Sequence, residues 1–196
     1  LIMVDERGHV IDGDQLLGLI ATIWHREGRL KGKGLVGTVM SNLGLERYLN
    51  KMGLHLYRAA VGDRFVFETM ESEECNVGGE QSGHIILNDY STTGDGTIAA
   101  LQILSLIKDT GMKASEVGKT FNPVPQILKN VKVSQKVNLT EPNLNQAILR
   151  AEEKLGQGGR LLVRPSGTEP LVRIMAQGDD DQLLEAIIND ISKMIA

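Results

Sequence analysis

The first 110 residues alternate short apolar runs with longer amphipathic segments, and this alternation constrains the fold more than any other feature. Short apolar runs at 35–40 and 54–60 predict strands. Helices are predicted at 15–27, 43–52 and 65–74, where apolar residues recur at helical spacing. Strands that alternate with helices favour βαβ units and a parallel sheet. We therefore predict an α/β domain with a mixed, mostly parallel sheet and flanking helices.

Two further apolar segments are predicted to be buried. Residues 1–4 form a continuous apolar run, which predicts a buried strand. The helix predicted at 98–110 is mostly apolar, and a helix that is apolar on most sides is expected to be well buried.

Two prolines mark the boundary between two domains. Pro123 and Pro125 stand two residues apart, which excludes a helix and favours an extended linker. The hydrophobic pattern also changes at this point. We predict a first domain at 1–121, a linker at 122–125 and a second domain at 126–196.

The second domain has a different order of elements. An alternating strand pattern at 126–136 is followed by a helix at 143–155, two short strands and a final helix at 182–195. Strands and helices in this order predict a small α+β domain with an antiparallel sheet and two helices packed on one of its faces.

Composition limits the classes of function. The chain has 196 residues, of which 41% are hydrophobic and 23% charged, as is typical of a globular protein. The formal net charge of −4 and the lack of a basic stripe argue against a nucleic-acid partner. No apolar run is long enough to predict a membrane span. The single cysteine, Cys75, excludes an internal disulfide and suits the cytoplasm. Because the chain opens on Leu1 inside an apolar run, we expect it to be part of a longer protein.

The strongest functional signal is the segment from Arg164 to Arg173, between two predicted strands of a β-hairpin. The backbone N–H groups of Ser166, Gly167 and Thr168 are expected to converge on an anion, because Gly167 allows a positive φ. A guanidinium at each end of the loop suits a phosphate. We predict that these five residues bind phosphate. The alternative is a rigid turn with two solvated arginines.

A second candidate site is the glycine-rich segment from Gly78 to His84. An extended backbone would point Glu80 and Ser82 to one side, with His84 beside them. A carboxylate accepts hydrogen bonds from two adjacent sugar hydroxyls, and a serine hydroxyl adds a donor or an acceptor. We predict that these three residues bind a sugar. The alternatives are a plain glycine-rich turn and a core-paired imidazole.

Arg64 is a possible residue of a ligand cleft. It lies in a turn that follows a predicted strand and opens a helix, and ligands of α/β folds gather at the carboxyl ends of strands. The alternative is a plain turn in which Asp63 caps the helix.

Asp12 and Asp14 look like a metal site, but they directly precede a predicted helix. A helix N-cap is the better interpretation of this pair. We predict no metal ligands in this chain.

The glycine-rich segment at 78–84 and the arginine-flanked segment at 164–173 resemble the sugar-binding and phosphate-binding loops of the α-D-phosphohexomutases. The sequences Gly-Gly-Glu-Gln-Ser-Gly-His at 78–84 and Arg-Pro-Ser-Gly-Thr-Glu-Pro-Leu-Val-Arg at 164–173 occur in the order and at the separation found in that family. The resemblance covers the whole chain, which would be the second half of such an enzyme. Gln81 and Ser166-Gly167-Thr168 resemble the members that act on glucosamine 6-phosphate.

The resemblance implies an isomerase that interconverts glucosamine 6-phosphate and glucosamine 1-phosphate, on the route to the cell-wall precursor UDP-N-acetylglucosamine. It also implies a phosphoserine in a first domain, magnesium held by a second, and glucosamine 1,6-bisphosphate as the intermediate. This chain would be the third and fourth domains. It would contact a hexosamine phosphate and the N-terminal domains of the same protein, and by itself it would be inactive. The alternatives are a fragment of a phosphomannomutase/phosphoglucomutase relative and a non-catalytic phosphosugar-binding module.

Overall fold

The computed structural model of the protein describes residues 1–134, 137–166 and 169–195. The chain forms two compact units, Leu1–Pro123 and Val124–Ala196. The elements of the first unit are β1 (Met3–Val4), β2 (Val10–Ile11), α1 (Gly13–Arg26), β3 (Gly34–Thr38), α2 (Leu43–Lys51), β4 (His55–Ala59), α3 (Asp63–Ser72), β5 (Val77–Gly79), β6 (Ile85–Leu87), α4 (Gly96–Thr110) and α5 (Ala114–Val117). The elements of the second unit are β7 (Gln126–Lys132), α6 (Pro142–Leu155), a 3-10 turn (Gly156–Gly158), β8 (Arg160–Pro165), β9 (Leu171–Gln177) and α7 (Asp181–Ile195).

The first unit is built around a four-stranded sheet in the order β4-β3-β5-β6. Strand β3 runs parallel to both β4 and β5, whereas β6 is antiparallel to β5. Helices α2 and α3 make the crossovers between the parallel strands. The predicted mixed, mostly parallel sheet with flanking helices is therefore confirmed.

Helix α1 supplies much of the first core. Leu16, Leu17, Ile20 and Trp24 follow helical spacing and are at most 1% exposed. Burying a side chain of this size contributes about 1.5–3 kcal/mol. The helix begins at the predicted cap, because the Asp12 carboxylate accepts a hydrogen bond from the backbone N–H of Gln15.

Helix α4 is less buried than its composition predicted. Ala99 and Ile103 are buried against the core, but Leu101 and Leu104 are more than half exposed. The prediction that this helix is well buried is wrong, because only one side of α4 packs against the rest of the first unit.

The predicted burial of residues 1–4 is also wrong. The two-stranded sheet of β1 and β2 turns Met3 and Ile11 toward the core and leaves Ile2, Val4 and Val10 on its exposed face. Successive residues of a strand point to opposite faces, so an apolar run fills both faces even where only one is covered.

The second unit contains a three-stranded antiparallel sheet in the order β7-β9-β8. Val172, Ile174 and Ala176 alternate along β9 and pack in one cluster with Leu184 and Ile187 of α7. Residues of α6 join the same cluster. The predicted antiparallel sheet with two helices on one face is confirmed. The strand predicted at 126–136 ends at Lys132, and Gln135 and Lys136 lie outside the described residues.

Among the described residues of both units, every helix is too short or too polar to span a membrane.

Candidate functional site

The segment from Glu80 to His84 connects β5 to β6 as a tight loop. Its ends are held by a hydrogen bond from the Glu80 N–H to the His84 carbonyl (2.8 Å), and a turn is closed from the Gly83 N–H to the Glu80 carbonyl (2.9 Å). Gly83 has a φ of +94°, a conformation that favours glycine. The extended backbone that we predicted here is therefore wrong, because the chain turns between Glu80 and Gly83.

Glu80 and Ser82 nevertheless come together. The Ser82 hydroxyl donates a hydrogen bond to Glu80 Oε2 (3.1 Å), and the backbone N–H of Gly62 donates to Glu80 Oε1 (2.9 Å). Each carboxylate oxygen has two lone pairs, so both oxygens keep an acceptor position for a ligand hydroxyl. The two hydrogen bonds fix the direction of the carboxylate before a ligand arrives.

His84 is paired with Asp63, a residue of the turn that the sequence placed at the carboxyl end of a strand, with a helix cap as the alternative. Its Nδ1 lies 3.1 Å from Asp63 Oδ1, and both side chains are 53% exposed. The N-cap of α3 is Gly62, at a φ of +127°, and it makes no side-chain cap hydrogen bond. His84 is thus paired at the surface, not in the core, and Asp63 belongs to the same site.

Arg64 lies one residue further along α3 and points elsewhere. Its Nε is 2.7 Å from Oε1 of Glu68, one turn along the helix, and its side chain is 84% exposed. The hydrogen bond that Arg64 donates to Glu68 raises the pKa of Arg64 above its ordinary value. The described contacts of Arg64 are therefore with its own helix, and not with Glu80 or His84.

The start of α1 packs against the backbone of the 80–84 loop. The backbone N–H of Gly13 donates a hydrogen bond to the carbonyl of Gln81 (2.9 Å). A Cβ atom at Gly13 would come 2.1 Å from the carbonyl oxygen of Glu80, so only glycine allows this approach. Sequence reasoning missed Gly13, because a glycine at a helix start gives no sign of what it packs against.

In the second unit, β8 and β9 place two arginines directly opposite each other. Arg164 pairs with Arg173 in the antiparallel register, so both side chains stand on one face. Like charges in directly opposite positions are destabilising. Arg173 Nη2 lies 3.4 Å from Glu169 Oε2, which offsets part of the repulsion. Within the described residues, the buried Nε atoms of Arg164 and Arg173 have no hydrogen-bond partner. An anion between the two side chains would relieve both costs.

Ser166 begins the loop of this hairpin. Its backbone N–H donates to the carbonyl of Leu171 (2.8 Å), and its hydroxyl oxygen accepts from the N–H of Glu169 (3.3 Å). The prediction that the backbone N–H of Ser166 is free to bind an anion is therefore wrong, because this N–H closes the hairpin. Gly167 and Thr168, which we also predicted to bind phosphate, lie outside the described residues.

The residues that the structure describes do not fit a magnesium ion. Asp12 caps α1, and the fully buried Asp14 accepts a hydrogen bond from the N–H of Asn42 (2.7 Å) at Oδ2. Burial raises the pKa of Asp14 to about 6, against the opposing effect of the Asn42 hydrogen bond. Across 1–134, 137–166 and 169–195, no three acidic, histidine or cysteine side chains are grouped as metal ligands.

The sequence matches two domain models of one family. Residues 12–123 match the phosphoglucomutase/phosphomannomutase alpha/beta/alpha domain III, and residues 128–194 match the C-terminal domain of the same family. The chain belongs to the phosphoglucomutase/phosphomannomutase family.

Two curated relatives are similar over the whole chain. It is 56% identical to a phosphoglucosamine mutase of Mesorhizobium japonicum and 55% identical to one of Agrobacterium fabrum, over 196 residues in each case. The chain spans 44% of the length of each of these relatives.

Solved structures show the same fold at low sequence identity. The N-acetylphosphoglucosamine mutase of Aspergillus fumigatus, solved with GlcNAc-6P and magnesium, has a TM-score of 0.80 at 19% identity, over 98% of this chain and 48% of that one. An N-acetylglucosamine-phosphate mutase in its product complex has a TM-score of 0.76 at 19% identity, over 100% of this chain and 46% of that one.

Proposed function

We propose that this chain is the C-terminal part of a phosphoglucosamine mutase, which interconverts glucosamine 6-phosphate and glucosamine 1-phosphate in the cytoplasm. The observation that carries the proposal is the pair of opposed arginines, Arg164 and Arg173, in a chain that is 56% identical to such an enzyme. A phosphate monoester carries the charge that this pair needs, and a guanidinium binds it through two parallel hydrogen bonds.

The first unit would hold the sugar. The Glu80 carboxylate, already directed by Gly62 and Ser82, would accept hydrogen bonds from ring hydroxyls. Ser82 and His84 would add contacts to a hydroxyl or a phosphate oxygen. Arg64 would have to leave Glu68 to reach a ligand, so we give it a minor role.

The second unit would hold the phosphate that does not react. Arg164 and Arg173 would supply the positive charge, and Ser166, Gly167 and Thr168 would line the loop between them. Holding one end of a substrate while the other reacts lowers the barrier by orienting the reacting groups.

The reacting groups would lie elsewhere in the longer protein. Magnesium would lower the barrier there by neutralising charge on the transferring phosphoryl group. We place the phosphoserine, the magnesium ligands and the formation of glucosamine 1,6-bisphosphate outside these 196 residues, and no residue of this chain is proposed as catalytic. The partners of this chain would be the hexosamine phosphate and the remainder of its own protein.

Calorimetric titration with glucosamine 6-phosphate tests the proposal. Replacement of Arg164 or Arg173 by Gln removes a charge-assisted hydrogen bond worth about 1.5–3 kcal/mol, so the Kd should rise roughly 10-fold to 150-fold. Arg150→Gln is the matched control, since Arg150 is an exposed arginine of α6 in the same unit. Equal affinity in all four chains, or no binding to the parent chain, would contradict the proposal.

A further inference from the structure

We propose that Asp63 is a positioning residue that keeps the proton of His84 on Nδ1, that Gly94 leaves the space in which the imidazole lies, and that Nε2 is the nitrogen left for a ligand. The part of this proposal that concerns the ligand rests on the proposed function. The part that concerns the ring does not, because it follows from contacts within the first unit.

The Asp63 contact selects the tautomer. Asp63 Oδ1 and His84 Nδ1 are 3.1 Å apart, and two unprotonated acceptors at this distance would repel each other, so the carboxylate favours the proton of His84 on Nδ1. Nε2 of the neutral ring is then an acceptor, and it becomes a donor when the ring is protonated. A neutral histidine in water prefers the opposite arrangement, with the proton on Nε2.

Gly94 determines where the ring lies. A Cβ atom at this position would come 2.9 Å from Cδ2 and 3.3 Å from Nε2 of His84. Gly94 does not have a positive φ, so its backbone does not require glycine. A side chain at this position would displace the imidazole from the place that it occupies. The ring is therefore next to Asp63 at its Nδ1 edge, and its Cδ2 and Nε2 atoms lie beside the space that Gly94 leaves free.

Asp63 is itself fixed relative to the sugar contact. It directly follows Gly62, whose N–H donates to Glu80 Oε1. The turn at 62–63 thus binds the loop at both of its ends, through Glu80 and through His84. A ligand hydroxyl that reaches Glu80 would meet an imidazole whose direction and tautomer are already set.

Nitrogen NMR of the chain with labelled histidine tests the tautomer without any ligand. Long-range proton–nitrogen correlations distinguish the Nδ1–H and Nε2–H forms, and a His84→Gln variant assigns the signal among the four histidines. We expect the Nδ1–H form in the parent chain and a shift toward the Nε2–H form in Asp63→Asn. Gly94→Ala should move the His84 signals while the fluorescence of the buried Trp24 is unchanged. Asp109→Asn, an exposed carboxylate on α4, should change nothing.

The proposal is overturned if His84 of the parent chain is in the Nε2–H form, or if Asp63→Asn leaves the tautomer unchanged. Addition of glucosamine 6-phosphate then tests the ligand role separately. We expect the Nε2 resonance of His84 to shift in the parent chain, and the Kd to rise several-fold in Asp63→Asn. If the His84 ring is in the Nδ1–H form but its Nε2 resonance does not respond to the ligand, His84 does not belong to the sugar site. The positioning of the ring by Asp63 and Gly94 would still stand in that case.

Discussion

Replacement of Asp14 by Asn should remove a pH dependence from the stability of the first unit. Asp14 is fully buried at the start of α1. One of its oxygens accepts a hydrogen bond from the N–H of Asn42, whereas Oδ1 has no partner among the described residues. An ionised carboxylate in this position has lost most of its hydration, and the neutral Asn keeps an oxygen for the Asn42 bond.

The magnitude follows from the pKa. Burial raises the pKa of Asp14 from 3.8 to about 6, so the folded chain holds this proton more tightly than the unfolded chain. The proton on Asp14 therefore stabilises the folded chain, fully so below pH ~4, and this stabilisation is lost as the pH rises through about 6. A difference of about two pH units corresponds to about 3 kcal/mol. The unfolding free energy of the parent minus that of Asp14→Asn should therefore fall by about 3 kcal/mol from pH 3 to pH 8.

Urea denaturation followed by tryptophan fluorescence measures this difference, because the single tryptophan, Trp24, lies in the core of the first unit. The other titrating groups are the same in both chains, so their contributions cancel when the two unfolding free energies are subtracted. The difference therefore reports on Asp14 alone. Asp109→Asn serves as the control and should stay parallel to the parent at every pH. A parent-minus-variant difference that does not change with pH would refute the argument that Asp14 is ionised at a cost in the folded chain.

Two further predictions concern reactivity and turnover. Burial, with a smaller effect of Glu73, raises the pKa of Cys75 to about 11, so about one thiol in a thousand is ionised at pH 8. Iodoacetamide should modify the native chain far more slowly than the urea-unfolded chain, and equal rates would contradict this. Purified chain with magnesium, a sugar bisphosphate and glucosamine 6-phosphate should form no glucosamine 1-phosphate by phosphorus NMR, because the phosphoserine and the magnesium ligands of the proposed reaction lie outside these residues. Turnover would show that the reacting groups lie within these residues.

The fold could be predicted from the sequence because its signals are local. The apolar spacing of Leu16, Leu17 and Ile20 predicted α1, and the carboxylate of Asp12 predicted its start. Burial was harder to predict, since it depends on what covers each face. The apolar residues of α4 looked alike in sequence, yet Leu101 is exposed and Ile103 is buried.

The site was predictable where its residues are close in sequence. Glu80 and Ser82 meet as expected, although through a turn and not through an extended strand. The partners that come from other elements were missed, such as Asp63 beside His84 and Gly13 beneath the loop. These contacts join residues far apart in the chain, and a single sequence carries no local signal for them.

The most direct test of the proposed function is a map of the backbone amides that respond to glucosamine 6-phosphate. Proton–nitrogen spectra of the labelled chain would be recorded as the ligand is added, with inorganic phosphate as the comparison. The account predicts that glucosamine 6-phosphate shifts the amides of the 80–84 loop and of Gly62 together with those from Arg164 to Arg173, and that inorganic phosphate shifts only the second group. Shifts confined to other surfaces, such as the groove between α6 and α7 lined by Arg150 and Lys154, would contradict it.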